Sequence, residues 1–230
     1  MSRQRESLTI FTGPMNSSKT RRLLDYLSEA RDALGYSIDV YKPAKDNRYD
    51  SDEIRCRNGG CWSAIPVPAS ENGYSSSLFI IDDIFRRKDK PKPDLIAIDE
   101  VQFFDDDIKD VVHHLLHNQI EIAVSGLNRD FRGESFPAIE SLMPMATRIE
   151  TLTARCTYKN GGNRSCGAPA TMSLRLIDGL PASYTSPTII IEGDAESQNK
   201  FITYEARCLD HWSCPDIPQS RLQVYLNNNV

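Results

Sequence analysis

The chain has 230 residues, of which 40% are hydrophobic and 26% are charged, and its 27 Lys and Arg against 32 Asp and Glu give a net charge of −5. This length suits one domain, or one domain with a small addition, and it can bury a core without disulfide bonds. The acidic balance argues against a protein that mainly binds nucleic acid or anionic lipid, and no apolar run reaches the roughly 18 residues of a membrane span. We therefore expect a soluble, cytoplasmic protein with no nucleic-acid and no membrane partner.

The first part of the chain alternates between strand and helix patterns. An apolar run at Leu8–Thr12 predicts a strand, and leucines at helical spacing predict a helix from Arg21 to Leu34. Further strands are predicted at Tyr36–Tyr41, Ala64–Val67, Asp94–Asp99 and Ile120–Ser125, and further helices at Ser75–Arg87 and Asp105–His117. A long polar loop is predicted at Lys42–Gly60. Continuous apolarity before Asp99 is typical of a strand covered on both faces. The order predicts an α/β domain with a parallel sheet and right-handed crossovers.

The pattern changes near residue 150, where helical periodicity ends. Short β-like runs follow, separated by Gly, Asn, Pro and Ser, at Arg148–Ala154, Thr171–Leu176, Thr188–Glu192 and Phe201–Glu205. We therefore predict a first domain at 1–150, a smaller second domain at 151–215, and a disordered tail at 216–230.

Residues 13–20, between the first predicted strand and the first helix, fit a phosphate-binding loop. Such a loop offers backbone N–H groups, a lysine for the phosphates and a hydroxyl for magnesium. Gly13, Lys19 and Thr20 fit the pattern Gly-x4-Gly-Lys-Ser/Thr, whereas Ser18 replaces the second glycine. The alternative is an ordinary helix start with Ser17 or Ser18 as the N-cap. The predicted ATP-binding residues are Gly13, Pro14, Met15, Asn16, Ser17, Ser18, Lys19 and Thr20.

An acidic pair follows the most apolar predicted strand. Proteins with a phosphate loop use an acidic residue at the end of a second buried strand to help hold Mg²⁺, and Asp99 has this position. The alternative is that Asp99 and Glu100 only open the following loop. Together with the phosphate loop, the pair favours an ATP-using protein in which Thr20 and Asp99 support Mg²⁺ and Glu100 is a general base. Four phenylalanines either stack a base or pack in the core: Phe103, Phe104, Phe131 and Phe136.

Four of the six cysteines lie in the last third of the chain, which indicates a metal site in a cytosolic protein. Cys208 and His211 have the usual spacing of a zinc-ligand pair, whereas Cys156 and Cys166 are further apart than usual. We predict a structural Zn²⁺ site from these four residues, with Cys214 as a substitute for one of them. The alternative is a set of buried free thiols. Residues interpreted as ordinary structural or surface positions are Cys56, Cys61, His113, His114 and His117.

Ordered motifs along most of the chain resemble the zinc-containing, cytosolic, tetrameric thymidine kinases. The most specific are Asp99-Glu100-Val101-Gln102-Phe103-Phe104 and Asp130-Phe131-Arg132-Gly133-Glu134. Further matches are Gly13–Met15, Ser17, Lys19–Thr20, Lys45–Tyr49, Gly126–Leu127, Phe136, Leu152–Ala154 and Tyr204. The chain departs from the family at Ser18, in the wide first cysteine pair and at Glu192-Gly193.

The resemblance implies a RecA-like P-loop kinase domain with a small, β-rich, zinc-binding lasso domain. It implies transfer of the ATP γ-phosphoryl group to the 5′-hydroxyl of thymidine, with Glu100 as the base on that hydroxyl. It also implies a lasso at Thr188–Tyr204, a flexible loop at Lys42–Gly60, feedback inhibition by thymidine triphosphate, and a homotetramer or dimer. The nucleoside pocket that it implies is lined by Met15, Phe103, Leu127, Phe131, Phe136, Ser173 and Tyr204.

Two rival functions come from different classes. Ser18 favours a nucleotide-binding regulatory or sequestering homologue with weak catalysis, because a side chain there crowds the phosphates or strains the loop. The intact Glu100 favours a kinase, since a protein that only binds has no use for a base. The second rival is a kinase for another pyrimidine deoxynucleoside, such as deoxyuridine.

Overall fold

The computed structural model describes residues 7–44, 52–56, 59–71, 73–88, 90–190, 200–220, 222, 226 and 227. The chain forms two compact units, one of residues 1–128 and 135–154 and the other of residues 129–134 and 155–230. Some segments named in the sequence predictions lie outside the described residues. They are the motif Lys45–Tyr49, other parts of the predicted flexible loop, residues 191–199 of the predicted lasso, and much of the predicted tail. Within the described ranges, no helix is both long and apolar enough to cross a membrane.

The first unit alternates strands and helices, as the sequence predicts. In chain order its elements are β1 Leu8–Gly13, α1 Lys19–Leu34, β2 Ile38–Pro43, β3 Glu53–Arg55, β4 Cys61–Ser63, β5 Ile65–Val67, α2 Ser76–Arg86, β6 Leu95–Ile98, α3 Ile108–His117, β7 Glu121–Leu127, α4 Pro137–Leu142 and β8 Arg148–Thr151. Short 3-10 turns lie at Val101–Phe103 and Met143–Met145.

A six-stranded sheet in the order β5-β2-β6-β7-β1-β8 forms the centre of this unit, and all its neighbouring strands are parallel. One face packs against apolar side chains of α2, α3 and α4, and the other face packs against those of α1. Because both faces are covered, β6 is buried along its whole length, which confirms the α/β prediction. The carboxyl ends of β6, β7 and β1 therefore lie side by side at one edge of the sheet.

The second unit is built from short strands. They are β9 Ala154–Arg155, whose first residue still belongs to the first unit, β10 Pro169–Ala170, β11 Met172–Ile177, β12 Leu180–Pro181 and β13 Ile202–Arg207. Strands β12, β11 and β13 form an antiparallel sheet, β9 pairs with β10, and a 3-10 turn lies at Leu209–His211.

The run predicted at Arg148–Ala154 divides into two strands in the structure. Its first part is β8, which pairs with β1 at the edge of the parallel sheet, and the sequence gives little sign of this because β8 is mostly exposed. Residues 188–190, the described part of the run at Thr188–Glu192, form no strand. The hairpin of β3 and β4 and the short helix α4 were not predicted, because none has a long periodic pattern.

Asp105 fastens the start of α2. The hydroxyls of Ser70 and Ser76 donate to its Oδ2 at 2.5 and 3.0 Å, and the backbone N–H of Ser76 donates to the Ser70 hydroxyl at 3.0 Å. Burial by itself raises the pKa of Asp105, but the serine hydroxyls around it outweigh burial and lower this pKa to about 2. The ionised carboxylate therefore stabilises the fold above pH ~4, and this contribution is lost as the pH falls from ~4 towards 2.

We expect Asp105→Asn to lower the free energy of unfolding by about 1 kcal/mol at pH 7, because the hydrogen bonds to a charged group are weakened. The difference in the free energy of unfolding between the variant and the unsubstituted protein should be smaller at pH 3, as measured by urea unfolding at both pH values. Asp106→Asn, at the exposed neighbouring position, is the control and should change neither value. A deficit in Asp105→Asn that stays constant between the two pH values contradicts the ionised role.

Candidate active site and metal cluster

The loop between β1 and α1, residues 13–20, follows a path that requires glycine at its start. Gly13 has φ +154°, and a Cβ there would lie 2.3 Å from the carbonyl oxygen of Leu152. The Ser17 hydroxyl and the Lys19 ammonium both donate to the carbonyl oxygen of Pro14, at 2.8 and 2.9 Å. The loop thus closes on itself immediately before the N-terminus of a 16-residue helix, which is a favourable place for an anion.

Ser18 occupies the position where the phosphate-loop pattern has its second glycine. Its backbone is left-handed, with φ 65° and ψ 29°, which explains why glycine is usual there. The side chain is exposed and makes no capping hydrogen bond to α1. Ser18 therefore reproduces the glycine conformation at the expense of backbone strain, and it does not act as a side-chain N-cap.

Three hydroxyl and carboxylate side chains meet at the carboxyl ends of β1, β6 and β7. The Thr20 hydroxyl lies 3.2 and 3.3 Å from the two carboxylate oxygens of Asp99, and the Ser125 hydroxyl donates to Asp99 Oδ1. Asp99 is only 4% exposed. The sheet order thus brings together the two residues that the sequence predicts as magnesium supports.

The oxygens of Thr20 and Asp99 suit a hard cation. Mg²⁺ binds oxygen ligands at about 2.1 Å in octahedral geometry, so neighbouring ligand oxygens lie about 3 Å apart. The separation of 3.2–3.3 Å between the hydroxyl and carboxylate oxygens is close to that value. The pair fits the role of supporting Mg²⁺ beside the phosphate loop.

Glu100 follows Asp99 but has a different environment. Its backbone is left-handed, with φ 52° and ψ 43°, and its side chain is 8% exposed. Gln102 Nε2 donates to Glu100 Oε2 at 2.5 Å, while Gln102 Oε1 accepts from the backbone N–H of Leu127 at 3.0 Å. Gln102 therefore joins the Glu100 carboxylate to the end of β7 and fixes its direction.

Gly126, in the predicted Gly-Leu motif, is needed because Gln102 approaches the backbone closely. A Cβ at this position would lie 2.7 Å from Gln102 Oε1 and 2.9 Å from Val101 Cγ1. The Thr12 hydroxyl donates to the Gly126 carbonyl oxygen at 3.0 Å. The motif thus makes room for the hydrogen bond that orients Glu100.

Cys156, Cys166, Cys208 and His211 come together in the second unit. Their potential ligand atoms all lie within 4.8 Å of one another. His211 Nδ1 lies 3.7 Å from Cys156 Sγ and 3.3 Å from Cys208 Sγ. The Tyr158 ring stacks on the His211 ring, with centroids 4.1 Å apart. The group can hold a metal ion, and its four donors are those predicted from the sequence.

The donor set and spacing fit a tetrahedral thiolate and imidazole site. With Zn–S bonds of about 2.3 Å, neighbouring ligand atoms of such a site lie about 3.8 Å apart. Burial by itself raises the pKa of the Cys156 thiol, but hydrogen bonds from the backbone at Cys208 and Tyr158, together with His211, lower this pKa to about 6. A thiol that ionises near neutral pH suits metal ligation.

The remaining cysteines and histidines lie elsewhere. Cys214 Sγ lies 3.7 Å from the Ala182 carbonyl oxygen, in an apolar cluster with Phe131, so it is not part of the metal group. Cys56 and Cys61 belong to the β3–β4 hairpin region of the first unit. The His114 ring packs edge-on against Phe85, and His113 and His117 are exposed on α3.

The sequence of the chain is similar to known proteins over most of its length. The family model described as thymidine kinase matches residues 6–212. The chain belongs to the thymidine kinase family. A thymidine kinase of Thermococcus kodakarensis is 38% identical over 209 residues, covering 91% of this chain and 95% of that one. Thymidine kinases of Pyrobaculum aerophilum and Mycoplasmoides gallisepticum are 37% and 38% identical over 90% of this chain, covering 99% and 80% of theirs.

The side chains that the thymidine kinase resemblance predicts around the nucleoside divide between the two units. Four belong to the first unit: Met15, Phe103, Leu127 and Phe136. Phe103 is 43% exposed, and Phe136 is buried at the start of α4. Three belong to the second unit: Phe131, Ser173 and Tyr204. Phe131 and Ser173 are both 3% exposed.

Three residues that organise these sites have no role predicted from the sequence. They are Gln102, which orients Glu100; Ser125, which donates to Asp99; and Arg175, which joins Phe131 to Tyr204. Gln102 stands inside a quoted motif, two residues after Glu100, and this position was an available signal. Arg175 gives no signal of this kind, because it is an isolated cation in a β-like run.

We expect Ser18→Gly to raise the free energy of unfolding by about 0.5–1 kcal/mol, because glycine adopts the left-handed backbone without strain. Ser28→Gly is the matched control, since Ser28 lies inside α1, and it should lower the same quantity by about 0.5 kcal/mol. Urea unfolding of both variants measures the effect. Destabilisation by Ser18→Gly contradicts the strain assigned to this position.

Proposed function

We propose that the protein is a thymidine kinase, which transfers the γ-phosphoryl group of ATP to the 5′-hydroxyl of thymidine and forms thymidine monophosphate. Membership of the family and the names of the three relatives support this proposal. The observation that carries it is the contact of Thr20 with Asp99 at the start of α1, with the buried and oriented Glu100 next in the chain. A protein that only binds nucleotides needs no base next to the magnesium support.

The phosphate side of the reaction is assigned to residues 13–20. In this proposal the backbone of the loop and the Lys19 ammonium bind the ATP phosphates, while Thr20 and Asp99 hold Mg²⁺, which neutralises charge on the transferred group. Lys19 is only 8% exposed and lies on the Pro14 carbonyl oxygen, so its charge is fixed against the loop. Ser125 keeps the Asp99 carboxylate in place.

Glu100 is the proposed general base. Phosphoryl transfer depends on positioning and charge stabilisation, and a carboxylate near the attacking hydroxyl accepts its proton as the bond to phosphorus forms. The Gln102 hydrogen bond and the constrained backbone of Glu100 hold this carboxylate in one direction. The arrangement supports a base that is oriented before the substrate arrives.

The family resemblance assigns the nucleoside to Met15, Phe103, Leu127, Phe131, Phe136, Ser173 and Tyr204, and we propose these residues for it. The lasso predicted at 188–204 and the loop predicted at 42–60 lie partly outside the described residues; within them, Lys42 and Pro43 end β2 and Glu53–Arg55 form β3, so the predicted loop is interrupted by strands. Feedback inhibition by thymidine triphosphate and a homotetramer or dimer belong to the same proposal and rest on the family. We further propose domain limits of 1–150 and 151–215 with a tail at 216–230.

The identity of the metal is also a proposal. Three thiols and an imidazole nitrogen favour Zn²⁺, and four protein ligands leave no open position for a substrate, so the ion is structural. When bound, it ties the turn at Cys156 and Cys166 to the end of β13 and the turn that follows it. This connection stabilises the second unit.

A panel of deoxynucleosides with ATP and magnesium tests the reaction and its substrate. Thymidine should give a monophosphate and one ADP per turnover, with a higher kcat/KM than deoxyuridine or deoxycytidine. Binding of thymidine without any product supports the regulatory alternative instead. A preference for deoxyuridine supports the alternative pyrimidine kinase.

We expect Glu100→Gln to lower kcat by about 10²- to 10⁴-fold, because the amide cannot accept the hydroxyl proton. The dissociation constant for thymidine should stay within about threefold, because the shape of the side chain is retained. Glu140→Gln, at an exposed position of α4, is the matched control and should leave both values unchanged. Turnover of Glu100→Gln near that of the unsubstituted protein rules out this residue as the base.

We expect about one zinc per chain in freshly purified protein, and loss of most of it in Cys166→Ser, because a serine hydroxyl is a poor zinc ligand. Cys166 and Cys61 are both exposed, so Cys61→Ser is the matched control and should retain the metal. Cys214→Ser should retain it as well. Elemental analysis measures the content, and full zinc content in Cys166→Ser would remove this residue from the ligand set.

A further inference from the structure

Arg175 is buried in the second unit although its charge is not used by any proposed catalytic step. It lies on β11, is 2% exposed, and is among the largest fully buried side chains of the described residues. Burial lowers the pKa of its guanidinium, but an arginine stays charged in proteins. Burying a charge is unfavourable unless its surroundings compensate it, so the contacts of Arg175 must be good ones.

Those contacts come from Pro187 and Thr188 on one side and from Tyr204 on the other, at the two ends of residues 187–204. On the entering side, Nη1 donates to the carbonyl oxygen of Pro187 and Nη2 donates to that of Thr188. On the returning side, Nε donates to the Tyr204 hydroxyl at 2.9 Å, and Tyr204 is the residue paired with Arg175 across β11 and β13. One guanidinium therefore fastens the two points between which this segment runs.

Arg175 also sets the position of Phe131. Its guanidinium carbon lies 4.0 Å from the centroid of the Phe131 ring, a distance at which the cation is attracted to the ring face. Trp212 Nε1 donates to the Phe131 carbonyl oxygen at 3.2 Å, so both the ring and the backbone of this residue are held. Arg132, the next residue, donates from Nη2 to the Thr188 hydroxyl at 2.8 Å.

No carboxylate lies within ion-pair distance of Arg175 in the part of the chain that the structure describes. The direct partners of the charge are two backbone carbonyls, a phenol oxygen and an aromatic face, and the Asp130 carboxylate adds a charge interaction from further away. This set of partners needs the planar fork of arginine, whose donors point in several fixed directions at once. A lysine has the same charge but only one donor atom, and it cannot bind all three acceptors in this way.

We propose that Arg175 is a positioning residue for the nucleoside, which acts by holding Phe131, Tyr204 and the start of residues 188–204 in one arrangement. This inference rests on the proposed function, since Phe131 and Tyr204 are assigned there to the nucleoside. Arg175 acts before the substrate binds and makes no contact with the reacting atoms. Loss of Arg175 weakens the binding of thymidine equally in the ground state and in the transition state. The loss therefore raises KM for thymidine and leaves kcat unchanged.

The test is steady-state kinetics of Arg175→Lys with thymidine and ATP as varied substrates. We expect KM for thymidine to rise about 10- to 100-fold, the range expected when hydrogen bonds of a charged donor are lost. We expect kcat and KM for ATP to change less than about threefold, because the phosphate loop belongs to the other unit. Arg155→Lys, at an exposed arginine of β9, is the matched control and should leave all three constants unchanged.

Tyr204→Phe supplies a second measurement, because it removes the hydroxyl that accepts from Arg175 Nε. Alone it should raise KM for thymidine, and in the Arg175→Lys background it should add little, since both changes break the same contact. Full additivity of the two effects contradicts the proposed coupling. A merely structural role predicts a lower thermal midpoint and less active protein, with an unchanged KM for thymidine, and that result overturns the inference.

Failure of the inference and failure of the proposed function give different results. If the unsubstituted protein phosphorylates thymidine and Arg175→Lys has the same KM, the function stands and the inference is wrong. If the unsubstituted protein binds thymidine without phosphorylating it, calorimetric titration with thymidine replaces kinetics. Weaker binding by Arg175→Lys then supports the positioning role although the kinase assignment fails, and equal binding overturns both.

Discussion

The buried carboxylate of Asp99 is the group on which the candidate active site depends. A carboxylate that is 4% exposed must be matched by polar partners, and the hydroxyls of Thr20 and Ser125 are two of them. These residues come from three different segments, which meet only because β6 lies beside β7 and β7 beside β1, all parallel. The order of the strands therefore determines that the phosphate loop and the acidic pair share one edge of the sheet.

Neighbouring carboxylates at this edge have different surroundings and, in the proposed mechanism, different tasks. Asp99 is bound by the hydroxyls of Thr20 and Ser125, whereas Glu100 has a left-handed backbone and is held by Gln102. Left-handed backbone at non-glycine residues is unfavourable and recurs at functional sites. Asn16 and Ser18 in the phosphate loop share it with Glu100. These are three of the six described non-glycine residues with this backbone, and they lie where phosphate, magnesium and base are proposed to meet; the other three are Gln119, Asp178 and Asp216.

Much of this arrangement could be predicted from the sequence, because local patterns determine it. The apolar run before Asp99 identified a buried parallel strand, and the four side chains that can hold a metal ion stood out by residue type, although only Cys208 and His211 have the usual spacing. The contacts that could not be predicted are those between segments far apart in the sequence. The exposed β8 has no apolar pattern, residues 129–134 join the second unit across a gap in sequence, and Arg175 acquires its partners only when β11 pairs with β13. No local rule predicts these contacts.

If Asp99 supports magnesium while Glu100 accepts the proton, the loss of each carboxylate has a different effect on a magnesium titration of thymidine phosphorylation. The comparison uses Asp99→Asn and Glu100→Gln side by side with the unsubstituted protein. We expect Asp99→Asn to require a higher magnesium concentration for half-maximal turnover. Glu100→Gln should keep the original half-maximal concentration, with a low rate at every concentration. If both variants respond to magnesium in the same way, the two carboxylates do not have separate roles and the account is contradicted.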